Sequence, residues 1–600
     1  MDQNSIKKHE TDRSRLWISV AMLVFFTLLT FANSWHDALV FDDKMFVGPG
    51  SEQRLDSLSE AFTRDVWNSG SGLYRPLLLI DIELQSRWLG ESLPGYHLAN
   101  ILLHLLTTLT LFGFLRYLLR TFQSPDETSD FYALLAALTF AVHPAHTEVI
   151  NSVFNKSSMY VSLAAITGLW WLLSNLKTRP ARGWIGLGLI YSIAVLFKES
   201  ALILPGIAVA MIVLVTEGPL KARVRRCLPV FWLLIPIALY FWIRTTALAT
   251  VGGEEASETN ALISLLEQTR IASETQSLAG IATFGRGLAI LAWPYPLRLY
   301  YPEPGNLAYI AYISAQFALG GWAVYLLAKG RPMLIFSLVF YYLALLPSIR
   351  LITIDSATLH LSERYLYFPS VGLAIALAFG LRALAVRAGR RTLVIVMLPL
   401  LLVLATISWD RNAQWKSEVL LFETEYQLSK GSDDALRILV AAHHKYGRHE
   451  RVAEICDENR LEFRKSYQFA FACLSSYLHQ ERLDDGLAAL QEQAMHGRGW
   501  LPARLSLASL YQLRKQYQQV VEQYADIIER TVEPALKDFY KGEMLLAVYP
   551  DDREQLELAR RLFQQALAQD PDLDSARMRI ERIDRKLTNI DALYAPADSN

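Results

Sequence analysis

The sequence predicts a mainly α-helical protein, in which a polytopic membrane domain of about 11 spans precedes a tetratricopeptide-like α-solenoid. Charge distribution is the first reason. Residues 16–414 hold 54 charged side chains in 399 positions, whereas residues 415–600 hold 56 in 186. Recurrent apolar runs in the first part and a 34-residue period in the second are the other two reasons. The composition therefore divides the chain at Trp415 into a membrane part and a water-soluble part.

Composition also excludes several classes of protein. With 52% hydrophobic residues the chain is neither disordered nor collagen-like. A net charge of −1 offers no basic surface for nucleic acid. Cys227, Cys456 and Cys473 lack a metal-binding spacing. For the last two, buried free thiols are favoured over a disulfide, which needs an oxidising compartment.

Residues 1–15 are predicted to be a cytoplasmic N-terminus, and residues 16–35 a retained anchor. This run has no small-residue cleavage site before Trp35, so it is not interpreted as a signal peptide. Ten further apolar runs follow, at residues 96–119, 131–142, 152–173, 184–197, 201–215, 228–248, 308–327, 333–347, 366–386 and 393–408. Residues 280–297 are interpreted as a re-entrant or interfacial segment that does not cross the membrane.

Basic residues set the predicted orientation, because lysine and arginine near span ends remain cytoplasmic. With the N-terminus inside, every predicted inner loop is basic. The long outer loops are then 36–95, 250–280 and 349–365. Residues 77–89 of the first loop are helical but too polar for an easy span, so they are expected to lie along the outer surface.

The water-soluble part is predicted to contain about four tetratricopeptide-like helical repeats within residues 415–590, followed by a tail at 591–600. An offset of 34 residues aligns Cys473 with Leu507 and Tyr477 with Tyr511. A generic helical bundle is the alternative. In either case this part is expected to bind partners rather than to catalyse, because repeat surfaces commonly recruit proteins.

Adjacent carboxylates stand near the end of the first run. Asp42 and Asp43, flanked by Phe41 and Phe46, can supply a general base for an incoming hydroxyl. A solvated turn is the alternative.

Histidines and a glutamate occur at the outer end of another run. His143, His146 and Glu148 are candidates to bind substrate, to pair structurally, or, for His146 and Glu148, to bind a metal. A metal site generally needs three or more ligands, so a divalent metal is possible here but not supported, and no cofactor is expected to be required.

Cationic side chains complete the candidate chemistry. Lys198 either forms a neutral ion pair with Glu199 or binds a phosphate as a point charge. Arg364 can hold a phosphate with its guanidinium fork. Arg244 and Arg75 map to the same predicted outer face. Together these groups indicate a lipid-phosphate site at the membrane surface.

Six segments, in the same order, resemble the transmembrane and tetratricopeptide-repeat O-mannosyltransferase family, a branch of the GT-C glycosyltransferases that use polyprenyl-phosphate sugars. The segments are Phe41-Asp42-Asp43, Tyr74-Arg75-Pro76-Leu77, residues 94–104, His143-Pro144-Ala145-His146-Thr147-Glu148, Lys198-Glu199 and residues 363–370. Departures are also visible: the family's Arg-Ala-Asp after the His-Pro block reads Asn155-Lys156-Ser157-Ser158 here, with no Asp. The second acid of the first-loop pair is Asp43, where related protein O-mannosyltransferases have Glu, and the repeat region is short and divergent.

The resemblance implies a membrane glycosyltransferase that moves a sugar, mannose in that family, from a polyprenyl-phosphate donor to Ser or Thr of an exported protein. It implies that Asp42 and Asp43 form the catalytic pair, with Asp42 as the base. Donor-phosphate contacts are assigned to Lys198, Arg364, Arg244 and Arg75. Substrate contacts are assigned to His143, His146, Glu148, Glu363 and Tyr365.

Two alternatives stay open: a GT-C transferase that modifies a glycan or lipid, and a non-catalytic membrane scaffold whose repeats bind proteins. Membrane lipids and an exported acceptor protein are the expected partners. A bacterial inner membrane with periplasmic repeats is the expected location.

Overall fold

A computed structural model of the chain describes most of its residues. The described ranges are 3–36, 38–48, 51, 53–68, 73–122, 128–249, 274–299, 301, 305–349, 361–429, 433–496 and 499–594. Most of the predicted outer loops 250–280 and 349–365 lies outside these ranges.

The described chain forms two compact units, residues 1–429 and 430–600. The first unit therefore extends past the predicted boundary at Trp415. The reason is that residues 418–428 form a helix that contacts the first loop. Glu418 pairs with Lys44, and the ring of Phe422 lies 5.0 Å from that of Phe41.

Within the described residues the first unit contains α-helices and short 3-10 helices, and no strand. The α-helices are α1 (Gln3–Thr30), α2 (Asp43–Phe46), α3 (Pro76–Leu89), α4 (Leu93–Phe122), α5 (Ser129–Ala141), α6 (Thr147–Asn151), α7 (Ser157–Leu176), α8 (Pro180–Phe197), α9 (Leu204–Val215), α10 (Leu220–Cys227), α11 (Leu234–Ala249), α12 (Glu274–Ala292), α13 (Asn306–Ala328), α14 (Pro332–Leu345), α15 (Ser370–Ala388), α16 (Arg390–Gln414) and α17 (Glu418–Leu428). The 3-10 helices are Ala32–Ser34, Leu58–Phe62, Pro144–His146, Glu199–Ile203, Leu228–Leu233, Leu346–Ser348 and Glu363–Tyr365.

Every apolar run predicted from the sequence coincides with a helix or a helix pair. Among the described residues, eight helical segments are long and apolar enough to cross a membrane, and α5 with the bent continuation Pro144–Asn151 is a ninth candidate. Two further predicted runs coincide with shorter apolar helices, Glu199–Val215 and Pro332–Ser348. The mainly α-helical membrane domain is confirmed, whereas the count of about 11 spans stays a prediction.

The segment around residue 290 is helical but short. Its apolar part, Gly280–Ala292, would extend only about 20 Å at 1.5 Å per residue, less than the ~30 Å hydrocarbon core. This length is consistent with the predicted re-entrant or interfacial segment.

Helix α3 also forms where the sequence predicts it. Its acidic side chains contact other protein groups. Asp81 lies 2.7 Å from the ammonium group of Lys156, and Glu83 accepts hydrogen bonds from Arg54 and Arg87. The polar residues that argue against a span thus hold this helix against the rest of the unit.

The second unit is a series of helical hairpins. Its helices are α18 (Asp433–Lys445), α19 (His449–Glu458), α20 (Tyr467–His479), α21 (Leu483–His496), α22 (Trp500–Leu513), α23 (Tyr517–Arg530), α24 (Pro534–Val548), α25 (Arg553–Gln569) and α26 (Asp574–Tyr594), with a 3-10 helix at Arg460–Arg464. The starts of α20, α22 and α24 are 33 and 34 residues apart. This spacing agrees with the tetratricopeptide-like period, and α18–α25 form the four expected hairpins.

Cys456 and Cys473 form a disulfide bond, so the expectation of two free thiols is wrong. The two residues lie on the adjacent helices α19 and α20, with their Cα atoms 5.9 Å apart. Packing of these consecutive helices brings both side chains into one buried layer, which a sequence separation of 17 does not reveal.

Candidate active site

Asp42 lines a partly open cavity of about 230 Å³ in the first unit. The full lining is Phe41, Asp42, Glu148, Asn155, Leu299, Arg364 and Trp415. Asp42 immediately precedes α2 and follows Phe41, whose φ of 58° is uncommon for an aromatic residue. Burial raises the pKa of Asp42 above its ordinary value, and the nearby Arg364 opposes this rise. Such a carboxylate is a better proton acceptor than a fully solvated aspartate.

Asp43 has a different environment from its neighbour. Its carboxylate is fully buried and accepts hydrogen bonds from Ser152 Oγ at 2.9 Å, Val153 N at 2.8 Å and Phe154 N at 2.9 Å. These bonds join the first loop to the segment between α6 and α7. The carboxylate of Asp43 is thus engaged by three protein donors, while burial raises its pKa to about 7.

Glu148 and Arg364 form a clamp at the wall of the cavity. Glu148 Oε1 accepts from Arg364 Nη1 at 2.5 Å, and its Oε2 accepts from Arg364 N at 2.8 Å. Ser362 Oγ donates to the same carboxylate at 2.9 Å. The side chain of Arg364 remains 33% exposed, so part of its guanidinium is accessible to a ligand. The Glu148 carboxylate raises the pKa of Arg364, which keeps its charge fixed.

Lys198 brings a second cation close to Arg364. Its ammonium group donates to the hydroxyl of Ser158 at 2.8 Å and lies 5.7 Å from the ring centre of Tyr365. Ser158 also contacts the carbonyl oxygen of Arg364, at 3.3 Å. Burial, together with Arg75 and Arg364, lowers the pKa of Lys198 to about 7. An anionic ligand would relieve this repulsion.

Glu199 pairs with Arg75 rather than mainly with Lys198. Arg75 Nε and Nη2 donate to the two carboxylate oxygens at 2.9 and 2.6 Å. The neutral Lys198-Glu199 pair, one of the two sequence alternatives, is thus replaced by a bidentate Arg75-Glu199 pair. Arg75, Lys198 and Arg364 thus form a cationic cluster, in which Arg75 pairs with Glu199 and the ammonium group of Lys198 donates to the hydroxyl of Ser158.

Other predicted site residues lie around this cluster. Tyr365 lies beneath both Lys198 and Arg364, whose guanidinium carbon is 5.0 Å from its ring centre. Glu363 is fully buried beside Arg411 and accepts from the hydroxyl of Tyr301 at 3.2 Å. Glu363 is thus engaged by protein groups and does not line the cavity of Asp42.

Arg244 does not line the cavity that contains Asp42. It lies on α11 and acts electrostatically on Tyr240, whose hydroxyl donates to the carbonyl oxygen of Tyr74. Arg244 is therefore adjacent to the segment that carries Arg75.

The two histidines line a separate, largely apolar cavity of about 440 Å³ between α5, α15 and α16. His143 is held by the carbonyl oxygen of Leu291 at 2.9 Å, and His146 by Ser370 Oγ at 3.0 Å. His146 and Glu148 thus face different cavities, which does not suit a shared metal ion. The segment from His143 to Glu148 forms part of both walls.

Three residues of this region carry no strong sequence signal. Ser158 bridges Lys198 and Arg364, whereas Asn155 and Trp415 line the cavity of Asp42. Asn155 stands where the resembled family has its Arg-Ala-Asp motif, and that departure was the available signal. For Trp415 there was none, because it lies more than 370 residues from Asp42 in the chain.

Similarity to known proteins extends over two thirds of the chain. The chain is 26% identical over 460 residues to the protein O-mannosyl-transferase TMTC4 of Mus musculus. The aligned region covers 67% of this chain and 60% of that protein. The chain is 23% identical to TMTC3 of Mus musculus, with coverages of 69% and 48%. A Caenorhabditis elegans relative, protein O-mannosyl-transferase F38B6.6, is 24% identical, with coverages of 69% and 58%.

The chain thus spans about half the length of the curated relatives it matches. No protein-family model and no solved structure matches it. The matches nevertheless confirm the resemblance that the sequence motifs predicted. With its apolar helices, they identify the chain as an integral membrane protein.

Proposed function

Since the chain resembles the transmembrane and tetratricopeptide-repeat O-mannosyltransferases, we propose that it is a membrane glycosyltransferase that mannosylates Ser or Thr of exported proteins. The donor is a polyprenyl-phosphate sugar. Asp42 is the general base, and Lys198 with Arg364 holds the donor phosphate.

One observation carries this proposal: a proton-accepting carboxylate and the cation Arg364 line the same cavity, and a second cation, Lys198, lies near Arg364. Asp42, Glu148 and Arg364 line the same cavity, and Ser158 links Arg364 to Lys198. A non-catalytic scaffold would have no need for polar side chains around a cavity. The geometry therefore favours catalysis over the scaffold alternative.

The proposed reaction is a single displacement. The acceptor oxygen attacks the anomeric carbon as its proton passes to Asp42, and the bond from that carbon to the phosphate oxygen breaks. The bonding electrons leave with the phosphate, whose charge Lys198 and Arg364 stabilise. Attack opposite the leaving group inverts the anomeric centre. The chemistry needs no cofactor, because two side-chain cations balance a monophosphate.

Two further features support a lipid donor used on the outer side of the membrane. The apolar cavity between α5, α15 and α16 offers a wall for a prenyl chain beside the polar site. The Cys456–Cys473 disulfide fits an oxidising compartment for the repeat unit. A periplasmic repeat unit of a bacterial inner-membrane protein meets this condition, and its helical hairpins offer a surface for the acceptor protein.

The test compares exported proteins and membrane lipids from cells that produce the wild type, Asp42→Asn or Asp56→Asn. Asp56 is an exposed acid of the same loop and is the matched control. Loss of the base is expected to lower transfer by about 10²–10⁴-fold in Asp42→Asn. Mass spectrometry of Ser- and Thr-linked hexose measures the effect.

Near-normal hexose on proteins in Asp42→Asn would refute the assignment of the base. Hexose that disappears from a lipid or glycan, with proteins unmodified throughout, would favour the alternative acceptor. The Asp56→Asn protein should match the wild type in both analyses.

A further inference from the structure

Trp415 has a buried polar atom that the fold leaves unused. Its side chain is 1% exposed and lines the cavity of Asp42. Within the described part of the chain, its indole Nε1 has no hydrogen-bond partner. An unsatisfied buried donor is costly, so native proteins rarely keep one without a ligand or water. Because the indole N–H can only donate, its partner must offer an acceptor oxygen.

The accessible wall of the cavity is mainly polar, which suits a small ring that carries several hydroxyl groups. Asp42, Glu148, Asn155 and Arg364 are the other polar residues of the lining, and Phe41 and Leu299 complete it. At about 230 Å³ the cavity is smaller than the ~300–1,000 Å³ typical of drug-sized ligands. This size favours one sugar ring over an oligosaccharide or a peptide segment.

Phe41 and Asn155 are both held in place. The Phe41 ring packs against Phe422 at 5.0 Å, and Asn155 Nδ2 donates to Ser152 Oγ at 3.0 Å. Ser152 in turn donates to the buried Asp43. The lining is therefore positioned before any ligand arrives, which limits the entropy lost on binding.

We infer that this cavity is the subsite for the transferred sugar, and that Trp415 Nε1 donates a hydrogen bond to one of its hydroxyl groups. The inference rests on the proposed function and extends it by assigning the sugar to residues outside the motifs that predicted the site. Asn155 is the second polar contact. Lys198 lies outside this lining and Arg364 is part of it, and both contact the phosphate, so Trp415 Nε1 is a contact to the sugar alone.

The experiment measures binding of two lipids to the purified full-length protein in detergent. One is the polyprenyl-phosphate mannose donor, and the other is polyprenyl monophosphate, which lacks the sugar. Trp415→Phe keeps an aromatic ring but removes the N–H group. Trp409→Phe is the matched control, because Trp409 is 45% exposed and lies on α16, the helix that ends directly before Trp415.

Trp415→Phe is expected to weaken donor binding about fivefold and to leave binding of the monophosphate unchanged, because one hydrogen bond to the sugar is lost. Unchanged monophosphate binding also shows that the variant is folded. Trp409→Phe should change neither affinity.

Equal weakening of both lipids in Trp415→Phe, or of neither, would overturn the sugar subsite while leaving the proposed function standing. If the wild type binds neither lipid, the proposed function fails first, and the subsite fails with it.

Discussion

Lys198 has an environment that makes its charge sensitive to pH. Burial and two neighbouring arginines lower its pKa to about 7, whereas an ordinary lysine has a pKa of 10.5. Below that value the side chain is charged and can attract the phosphate of the proposed donor. As the pH rises through it, the ammonium group loses its proton and the attraction disappears.

We therefore expect kcat/KM for the lipid donor to fall as the pH increases above about 7, because this ratio reports groups of the free enzyme. On the acid side the ratio should fall through the raised pKa of Asp42, which must be deprotonated to act as a base. Initial rates of transfer, measured across about pH 4–10 at limiting donor concentrations, give the acid and the alkaline limb of the pH profile.

Lys198→Arg is the informative comparison, since arginine keeps its charge throughout this range. The alkaline limb should disappear in this variant even if the rate at neutral pH is lower. An unchanged alkaline limb would show that another group titrates.

The acidic pair also marks a limit of sequence interpretation at the scale of single residues. Asp42 and Asp43 are adjacent and chemically identical, so the residues alone make both of them candidates for the base, and only the family resemblance favours Asp42. Their separation depends on Ser152 and the two following amides, 109–111 positions away. Only the folded chain shows which carboxylate is already engaged.

At the scale of helices, α7 and α8 form a closely packed hairpin that depends on small residues. The indole of Trp171 lies over Gly186, and its Nε1 donates to the carbonyl oxygen of Arg182 at 3.0 Å. A Cβ atom added at Gly186 would lie 1.9 Å from that nitrogen. Glycine is therefore required by the close approach of the tryptophan.

Gly186→Ala is expected to destabilise the protein by about 1–3 kcal/mol, because the indole must move and its hydrogen bond is lost. Gly320→Ala is the matched control, since no atom lies within 4 Å of the corresponding Cβ position in α13. Thermal unfolding in detergent, followed by fluorescence, measures both. Equal unfolding midpoints for the two variants would contradict the packing argument.

Sequence predicts these helices better than their contacts, for a physical reason. Apolar length is a local property, so each of the predicted runs coincides with a helix. Contacts depend on which faces meet: the 34-residue offset aligns Leu487 with Val521, yet Leu487 is 6% exposed and Val521 39%. The 34-residue period shows where each repeat lies in the chain, but packing decides which side of each helix is buried.

At the scale of the whole molecule, the charge contrast correctly indicates a chain of two parts. It places the boundary between them at Trp415, before the first unit ends at Ser429. Trp415 begins the more charged region, yet it lines the cavity of Asp42, and α17 beyond it belongs to the first unit. A composition average cannot detect this overlap, because one helix of mixed polarity barely changes the mean. The candidate site thus uses residues from both sides of the predicted boundary.

The disulfide gives a test of which side of the membrane carries the repeat unit. Cys456 and Cys473 are bonded, whereas Cys227 is a free thiol in the first unit. Disulfides persist in oxidising compartments and are rare where thiols are kept reduced. An outer, oxidising location therefore predicts one reactive thiol per chain in unreduced, denatured protein and three after reduction.

Cells are quenched with acid, denatured in detergent and treated with a maleimide-linked polymer, and the number of attached polymers is counted by gel mobility. Cys456→Ser supplies the calibration: it should show two reactive thiols with and without reduction, because Cys473 loses its partner. Three reactive thiols in the unreduced wild type would place the repeat unit in a reducing compartment. That result would reverse the proposed topology, since an acceptor protein on the outer side could not then reach the repeats.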